Sequence, residues 1–343
     1  MNQPFIQLGK KDRAEILRTA SAELRITAQI LEKDIWVCWA LKELFSIPRA
    51  HPMAFKGGTS LSKIWNAITR FSEDIDITID YRAFGTGFDH HRGKLSNKKQ
   101  GEVNDQLRDC VAQYLSKKII PHLQNRLASE LPEEDFELTL SACGEKITLV
   151  YPSAITTRNP YIRDSILLEF GGRNTLEPSS NYSVVTYMER ATSVEGVDFP
   201  AAQNVFTIDV SRTFWEKVTL IHAVCGKNSK ITSAERLSRH WYDLHMLLET
   251  GSVKLEKLLS DETLIREIIA LKNVFYYAAS AKYEYCLTGQ LALVPEQELL
   301  SRIAEDYGAM KDMNLVGGSP PEFEQIQTSV VQIQDTVNLH FSE

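Results

Sequence analysis

Apolar residues recur with two different spacings along this chain, and the switch between them marks out its organisation. Residues 10–24 and 27–46 read as helices. In the second, Ile30, Ile35, Trp36, Trp39, Ala40 and Leu44 share one face at helical spacing. Residues 53–55 are a short apolar strand leading to two glycines. Residues 60–68 form a short helix with Leu61, Ile64, Trp65 and Ile68 on one side. Residues 73–80 alternate strictly. Ile75, Ile77 and Ile79 point to one face, and Asp74, Asp76, Thr78 and Asp80 to the other. The stretch 82–100, rich in glycine, histidine and basic residues, reads as a mobile loop. Residues 102–129 form a long helix with Pro121 as its interruption. From 136 to 210 the spacing turns strand-like, with runs at 136–143, 146–151, 165–170, 184–187 and 205–210. Helical spacing returns at 213–226, 235–249, 261–286, 296–311 and 323–339. Helices, then strands, then helices predict an α+β fold. A core with a mixed sheet and N-terminal helices occupies 1–211, and a helical lobe occupies 212–343.

The chemistry gathers where the first strand meets the glycines. Phe55-Lys56-Gly57-Gly58-Thr59-Ser60 reads as a glycine turn opening a helix. Backbone N–H groups at such a turn can hold phosphate oxygens. The strand that follows brings Asp74 and Asp76 to one face. Neighbouring carboxylates repel unless a cation sits between them, and hard ions such as Mg²⁺ take oxygen ligands. Glu73 falls on the isoleucine side and is not read as a ligand. Asp80 is read as a strand-end residue. A third carboxylate is usual where metals clamp a phosphoryl transfer. Glu169, late in the apolar run 165–170, is the candidate; the alternative is that it pairs with Arg173. Asp209 is a weaker competitor.

Two more residues stand out in the helical part. Lys217 falls among Leu220, Ile221 and Val224, a poor place for an unpaired ammonium. Either its stem snorkels along the apolar face or it reaches out to a nucleotide phosphate. On the helix 235–249, Arg236, His240 and Asp243 form a stripe, and Arg239 is placed to pair with Asp243. His90-His91 can attract metal, but the loop alone supplies no ligand geometry.

Composition narrows the field. Of 343 residues, 43% are apolar and 24% charged, an ordinary globular balance. A net charge of −7 argues against a whole-surface grip on nucleic acid. It leaves room for a local patch from Arg92, Lys94, Lys98, Lys99, Lys117 and Lys118, or for those side chains simply facing solvent. The five cysteines are scattered without a CxxC pair, which argues for a reducing compartment. No segment is long and apolar enough to span a bilayer, and no signal-peptide pattern is present. The expectation is a cytoplasmic protein with no membrane partner.

The segments FKGGTSLSK and RFSEDIDI, with RTFWEKVTLIH and RLSRHWYDLHMLL further on, resemble the AbiEii/AbiGii-type toxin family. That family lies within the polymerase-β-like nucleotidyltransferase superfamily. The resemblance implies a polymerase-β-like core with a helical lobe. It implies NTP as substrate with Mg²⁺ or Mn²⁺, and transfer of a nucleotidyl group to RNA, in particular the 3′ end of tRNA, so that translation stops. It also implies an antitoxin encoded nearby. On this likeness Gly57, Gly58, Thr59 and Ser60 serve the triphosphate. Asp74 and Asp76 hold metal, Lys217 contacts phosphate and Asp243 is essential. Glu169 as third ligand rests on the local reading alone. The competing functions are transfer to a small molecule or protein, and an idle NTP-binding regulator.

Overall fold

The isoleucines of the acidic strand do go inward, and a seven-stranded sheet is built around them. A computed structural model describes residues 2–93, 95–156, 162–226, 234–276, 278–312 and 318–342. Lys94 and the Arg92 side chain lie outside the described residues. Two compact units emerge. The first comprises residues 1–64, 72–86 and 105–207; the second comprises 65–71, 87–104 and 208–343. Neither is continuous in sequence.

The sheet belongs to the first unit. Its strands are β1 (Met53–Lys56), β2 (Ile75–Asp80), β3 (Glu137–Leu140), β4 (Lys146–Val150), β5 (Ser165–Asn174), β6 (Ser179–Val184) and β7 (Ala202–Ile208), in the order β3-β4-β5-β2-β1-β7-β6. Pairing is mixed. β2 runs parallel to β5 and antiparallel to β1, while β1 runs parallel to β7. One face is apolar: Ile75, Ile77 and Ile79 are at most 1% exposed. Along β5, burial alternates residue by residue. Against this face pack α1 (Lys10–Leu24), α2 (Ala28–Phe45), the end of α4 (Asn97–Tyr114) and α5 (Ile120–Ala128). Thr27 starts α2 by accepting the Ile30 N–H on its hydroxyl.

Several boundaries depart from the pattern reading for identifiable reasons. Pro121 does interrupt the predicted helix 102–129. A π turn over Leu115–Ile119 precedes it and absorbs the backbone hydrogen bond that proline cannot make. Strand β5 does not stop at Phe170 but runs through Gly171-Gly172 to Asn174. A Cβ on Gly172 would lie 2.5 Å from Val111 Cγ2 and 3.1 Å from the Phe84 ring. The glycine serves close packing rather than a turn. The predicted strand 184–187 is displaced onto the polar run Ser179–Val184, which apolar periodicity could not reveal. Part of the loop 82–100 is held: His90 is buried, and Phe88 meets Phe275 edge-on at 5.5 Å.

The second unit is helical, with α6 (Val210–Cys225), α7 (Ser238–Glu249), α8 (Leu255–Leu259), α9 (Thr263–Phe275), α10 (Gln297–Asp312) and α11 (Phe323–His340). The predicted helix 261–286 stops at Phe275, and a separate 3₁₀ turn covers Tyr283–Leu287. The helix predicted to begin at 235 begins at Ser238. Arg236 has φ 61°, a left-handed backbone that breaks the expected stripe. None of the described helices is long and apolar enough to cross a membrane.

Candidate active site

Residues directly opposite on neighbouring strands share a face, so register alone assembles a row of charges. Lys56 on β1 faces Asp76 on β2, Asp76 faces Glu169 on β5, and Glu169 faces Lys146 on β4. The order is cation, anion, anion, cation, on the side away from the isoleucines. Adjacent strands lie about 4.8 Å apart, which puts the Asp76 and Glu169 backbones within reach of one small ligand. In this structure Glu169 is ion-paired with Lys146, not with Arg173, whose partner is Glu145. The Glu169 contact raises the Lys146 ammonium above its ordinary range. Asp74, Asp76 and Glu169 do not bring their oxygens into one tight cluster. The trio of ligand atoms within 4.8 Å found among the described residues is Asp89, His90 and His91.

The glycine turn is fitted to Asp76. Helix α3 (Gly57–Lys63) starts on Gly57, one residue after β1 ends. Gly57 has φ +78°, and a Cβ there would stand 2.0 Å from Asp76 Oδ2. No side chain fits between the turn and the carboxylate. Gly57→Ala therefore should lose roughly 1–3 kcal/mol of stability from backbone strain alone and displace Asp76 as well. A thermal melt unchanged from wild type would show that the turn has room to give.

Thr59 and Ser60 are placed otherwise than a direct phosphate contact requires. Both side chains are buried, at 1% and 0% exposure. The Thr59 hydroxyl donates to the Asp74 carbonyl at 2.5 Å and lies 3.0 Å from the Ser72 hydroxyl. The Ser60 hydroxyl donates to the Gly57 carbonyl at 2.9 Å. These hydroxyls brace the turn and the approach to Asp74. What the turn can offer a ligand is its backbone N–H groups.

Helix α2 supplies a support that the apolar reading passed over. Glu32, Lys33 and Asp34 are all buried, although three successive charges span about 200° of a helix and cannot all reach water. Lys33 pairs with Glu73 at 2.5 Å and donates to the Arg163 carbonyl at 2.8 Å. Asp34 pairs with Lys63 at 2.5 Å and accepts the Tyr187 N–H at 2.6 Å. Glu32 accepts from the Ser153 hydroxyl and the Ala154 N–H, both at 2.6 Å. Glu73 precedes β2 and anchors the 72–74 segment to α2, while Lys63 anchors the end of α3. Asp80 closes β2 by accepting from Arg82. Asp209 caps α6, accepting the Ser211 N–H at 2.9 Å, and so is occupied by the helix start.

In the second unit, Asp243 is fully buried and grips two cations. Arg70 donates to it in bidentate fashion, Nε to Oδ1 at 2.6 Å and Nη2 to Oδ2 at 2.8 Å. Lys217 Nζ lies 2.8 Å from Oδ2. Arg70 and Lys217 thus bring their charges into the same buried pocket. Burial by itself would raise the Asp243 carboxyl; Arg70 and then Lys217 outweigh it and hold it well below the usual range. Burial pulls the Lys217 ammonium down, Asp243 pulls it back up, and Arg70 pushes it down again. His240, near the same charges, is driven well below its ordinary value by burial and by Lys217, and stays neutral. Tyr242 ties the segment before Arg70 to α7, its hydroxyl 2.9 Å from that of Thr69. Arg70 opens the run Arg70-Phe71-Ser72-Glu73-Asp74, but its partner lies 173 residues later, a pairing no local pattern exposes.

A mixed α/β unit with a glycine turn against strand carboxylates has the form of an enzyme for phosphoryl-group chemistry. Comparison with family models matches residues 39–329 to the nucleotidyl transferase AbiEii toxin family of type IV toxin–antitoxin systems. The chain belongs to this family and is a nucleotidyltransferase toxin. Such enzymes generally take an NTP substrate with a divalent metal, and the system implies a cognate antitoxin. Among solved structures, the chain is similar to MenT4, a nucleotidyltransferase toxin from Mycobacterium tuberculosis H37Rv. The likeness is at 16% identity with a TM-score of 0.38, over 94% of this chain and 98% of that one. Comparison with curated proteins finds no match.

Proposed function

We propose that this toxin transfers a nucleotidyl group from an NTP to an RNA end, the 3′ end of tRNA in particular, and thereby blocks translation in the cytoplasm. The observation that carries the reading is the register of Asp76 against Glu169 with Gly57 pressed on the Asp76 carboxylate. The donor set suits a hard divalent cation, being carboxylate oxygen throughout. Asp74 and Asp76 would hold Mg²⁺ or Mn²⁺, and Glu169, here paired with Lys146, would be the third carboxylate. Such a cation neutralises phosphate charge and lowers the pKa of an acceptor hydroxyl.

The chain's own groups bind and orient. Backbone N–H groups of Gly57 and Gly58 hold the triphosphate, with Thr59 and Ser60 fixing the shape of the turn. Lys217 contributes positive charge to the phosphates, and Asp243 fixes its ammonium in place. The acceptor hydroxyl attacks the α-phosphorus, its P–O bond to the leaving pyrophosphate breaks, and the hydroxyl proton passes to solvent or a nearby carboxylate. Catalysis of this kind rests on positioning and electrostatics rather than on a protein nucleophile. Lys98, Lys99 and Lys117 are exposed and available to an RNA backbone, although Lys99 also pairs with Glu102.

The net charge of −7 favours a second reading, in which the acceptor is a small molecule or a protein. One experiment separates the two. The protein is incubated with each radiolabelled NTP and Mg²⁺, first with total RNA, then with protein and metabolite pools. Label in tRNA is expected. Label only in the other pools sinks the RNA reading, and NTP binding without transfer to any pool sinks both.

A further inference from the structure

The histidine pair that lacked a partner in sequence acquires one in the fold. His90 and His91 sit on a 3₁₀ turn, His90–Arg92, whose N-cap is Asp89. The Asp89 carboxylate accepts the His91 backbone N–H at 3.0 Å. The rings lie 3.9 Å apart between centroids. Asp89, His90 and His91 each bring one ligand atom within 4.8 Å of the other two. From α9, Glu267 reaches both rings: its Oε1 lies 2.6 Å from His90 Nε2 and its Oε2 lies 3.8 Å from His91 Nε2.

We propose that Asp89, His90 and His91 form a second metal site, for a transition ion of the Zn²⁺ class, with Glu267 as the carboxylate that orients His90. Three features argue for this. Imidazole with carboxylate selects Zn²⁺ and its neighbours over Mg²⁺, so the ion differs in kind from the one the oxygen-only carboxylates of β2 would take. A metal-ligating histidine characteristically passes its other ring N–H to a carboxylate, and His90 is 3% exposed with Glu267 at hydrogen-bond distance. The site also opens onto space. A cavity of ≈540 Å³ is lined by His91 and Glu267 together with Asp261, Glu262 and Arg266, so a water or anion can complete the coordination.

Little movement is needed. Zinc ligands at about 2.0–2.2 Å from the ion stand roughly 3.4 Å from one another, so atoms already within 4.8 Å close by side-chain rotation. His91 is 63% exposed and has the freedom to turn, whereas His90 is already fixed. Binding would fasten the 87–93 segment to α9, adding to the Phe88–Phe275 contact. This site stands whether or not RNA is the acceptor.

The test uses the full chain, stripped with chelator and titrated with ZnCl₂ by equilibrium dialysis and by calorimetry. Asp76→Asn serves as the background, so that cation uptake by the β2 carboxylates does not enter the count. One equivalent of Zn²⁺ is expected in that background. His91→Ala and Asp89→Asn, each combined with it, should weaken that equivalent at least tenfold while the melting curve without zinc stays in place. His91 is exposed, so its removal leaves the fold intact even if His90 variants do not fold. Zinc uptake unchanged in both variants, or absent from the background protein, overturns the proposal.

Discussion

Asp76→Asn should abolish nucleotidyl transfer while leaving the protein folded. Asparagine keeps the shape and one acceptor oxygen but removes the charge. The side chain sits half-buried between Gly57 and the strand position of Glu169. Two like charges in adjacent register repel, so removing one relieves the sheet rather than weakening it. On the proposed role, catalysis would lose a group that gathers positive charge where phosphate charge develops, and the rate should fall on the order of 10³-fold. Asp80→Asn is the control. Asp80 is on the same strand but is taken up by Arg82, so transfer should stay near the wild-type rate. Label incorporation and growth arrest on expression read the two variants, beside a thermal melt. Full toxicity from Asp76→Asn, at equal protein level, would remove this carboxylate from the reaction.

The second large effect is on stability. Asp243→Asn leaves Arg70 and Lys217 buried against each other without their shared anion. Breaking a buried pair by removing one partner costs about 3–5 kcal/mol, and here one anion serves two cations. Urea midpoints measure it. The sign with pH follows from the depressed carboxyl. Its folded pKa lies below its unfolded one, so its stabilisation is fully present above about pH 4 and is lost as pH falls toward the folded value. Wild-type stability should decline below about pH 4 more steeply than that of Asp243→Asn. Parallel pH curves for the two would contradict the pairing. A triple change, Arg70→Met with Lys217→Met and Asp243→Leu, should recover much of the lost stability, since apolar residues of similar volume replace buried ions at little cost. It should recover no transfer if Lys217 holds phosphate.

How much of this was legible without a structure differs from residue to residue. The inward isoleucines and Asp76 on the opposite face follow from alternation, because a strand has only two faces. Gly57 is legible as a turn residue, but its intimacy with Asp76 is not, because that depends on how β1 and β2 align. Glu169 stands out on local grounds, as a charge late in an apolar run. Its true neighbours, Asp76 and Lys146, come from strand order, which periodicity does not encode. The charges Glu32, Lys33 and Asp34 did carry a signal: three in a row on a helix with apolar residues on both sides cannot all be solvated. Asp243 and Lys217 are each conspicuous alone, yet the third member, Arg70, lies far upstream with nothing local to mark it. Pairings across such distances depend on the whole fold.

The grip of Asp243 on Arg70 has a consequence for how the chain is made. At about 5–20 residues per second on the ribosome, the 173 residues between them take roughly 9–35 seconds to synthesise. For that interval the guanidinium of the nascent chain waits in solvent for an anion that does not yet exist. A fragment ending near residue 211 would wait indefinitely, so cutting the gene there should yield a product that lacks the clasp for its own 65–71 segment.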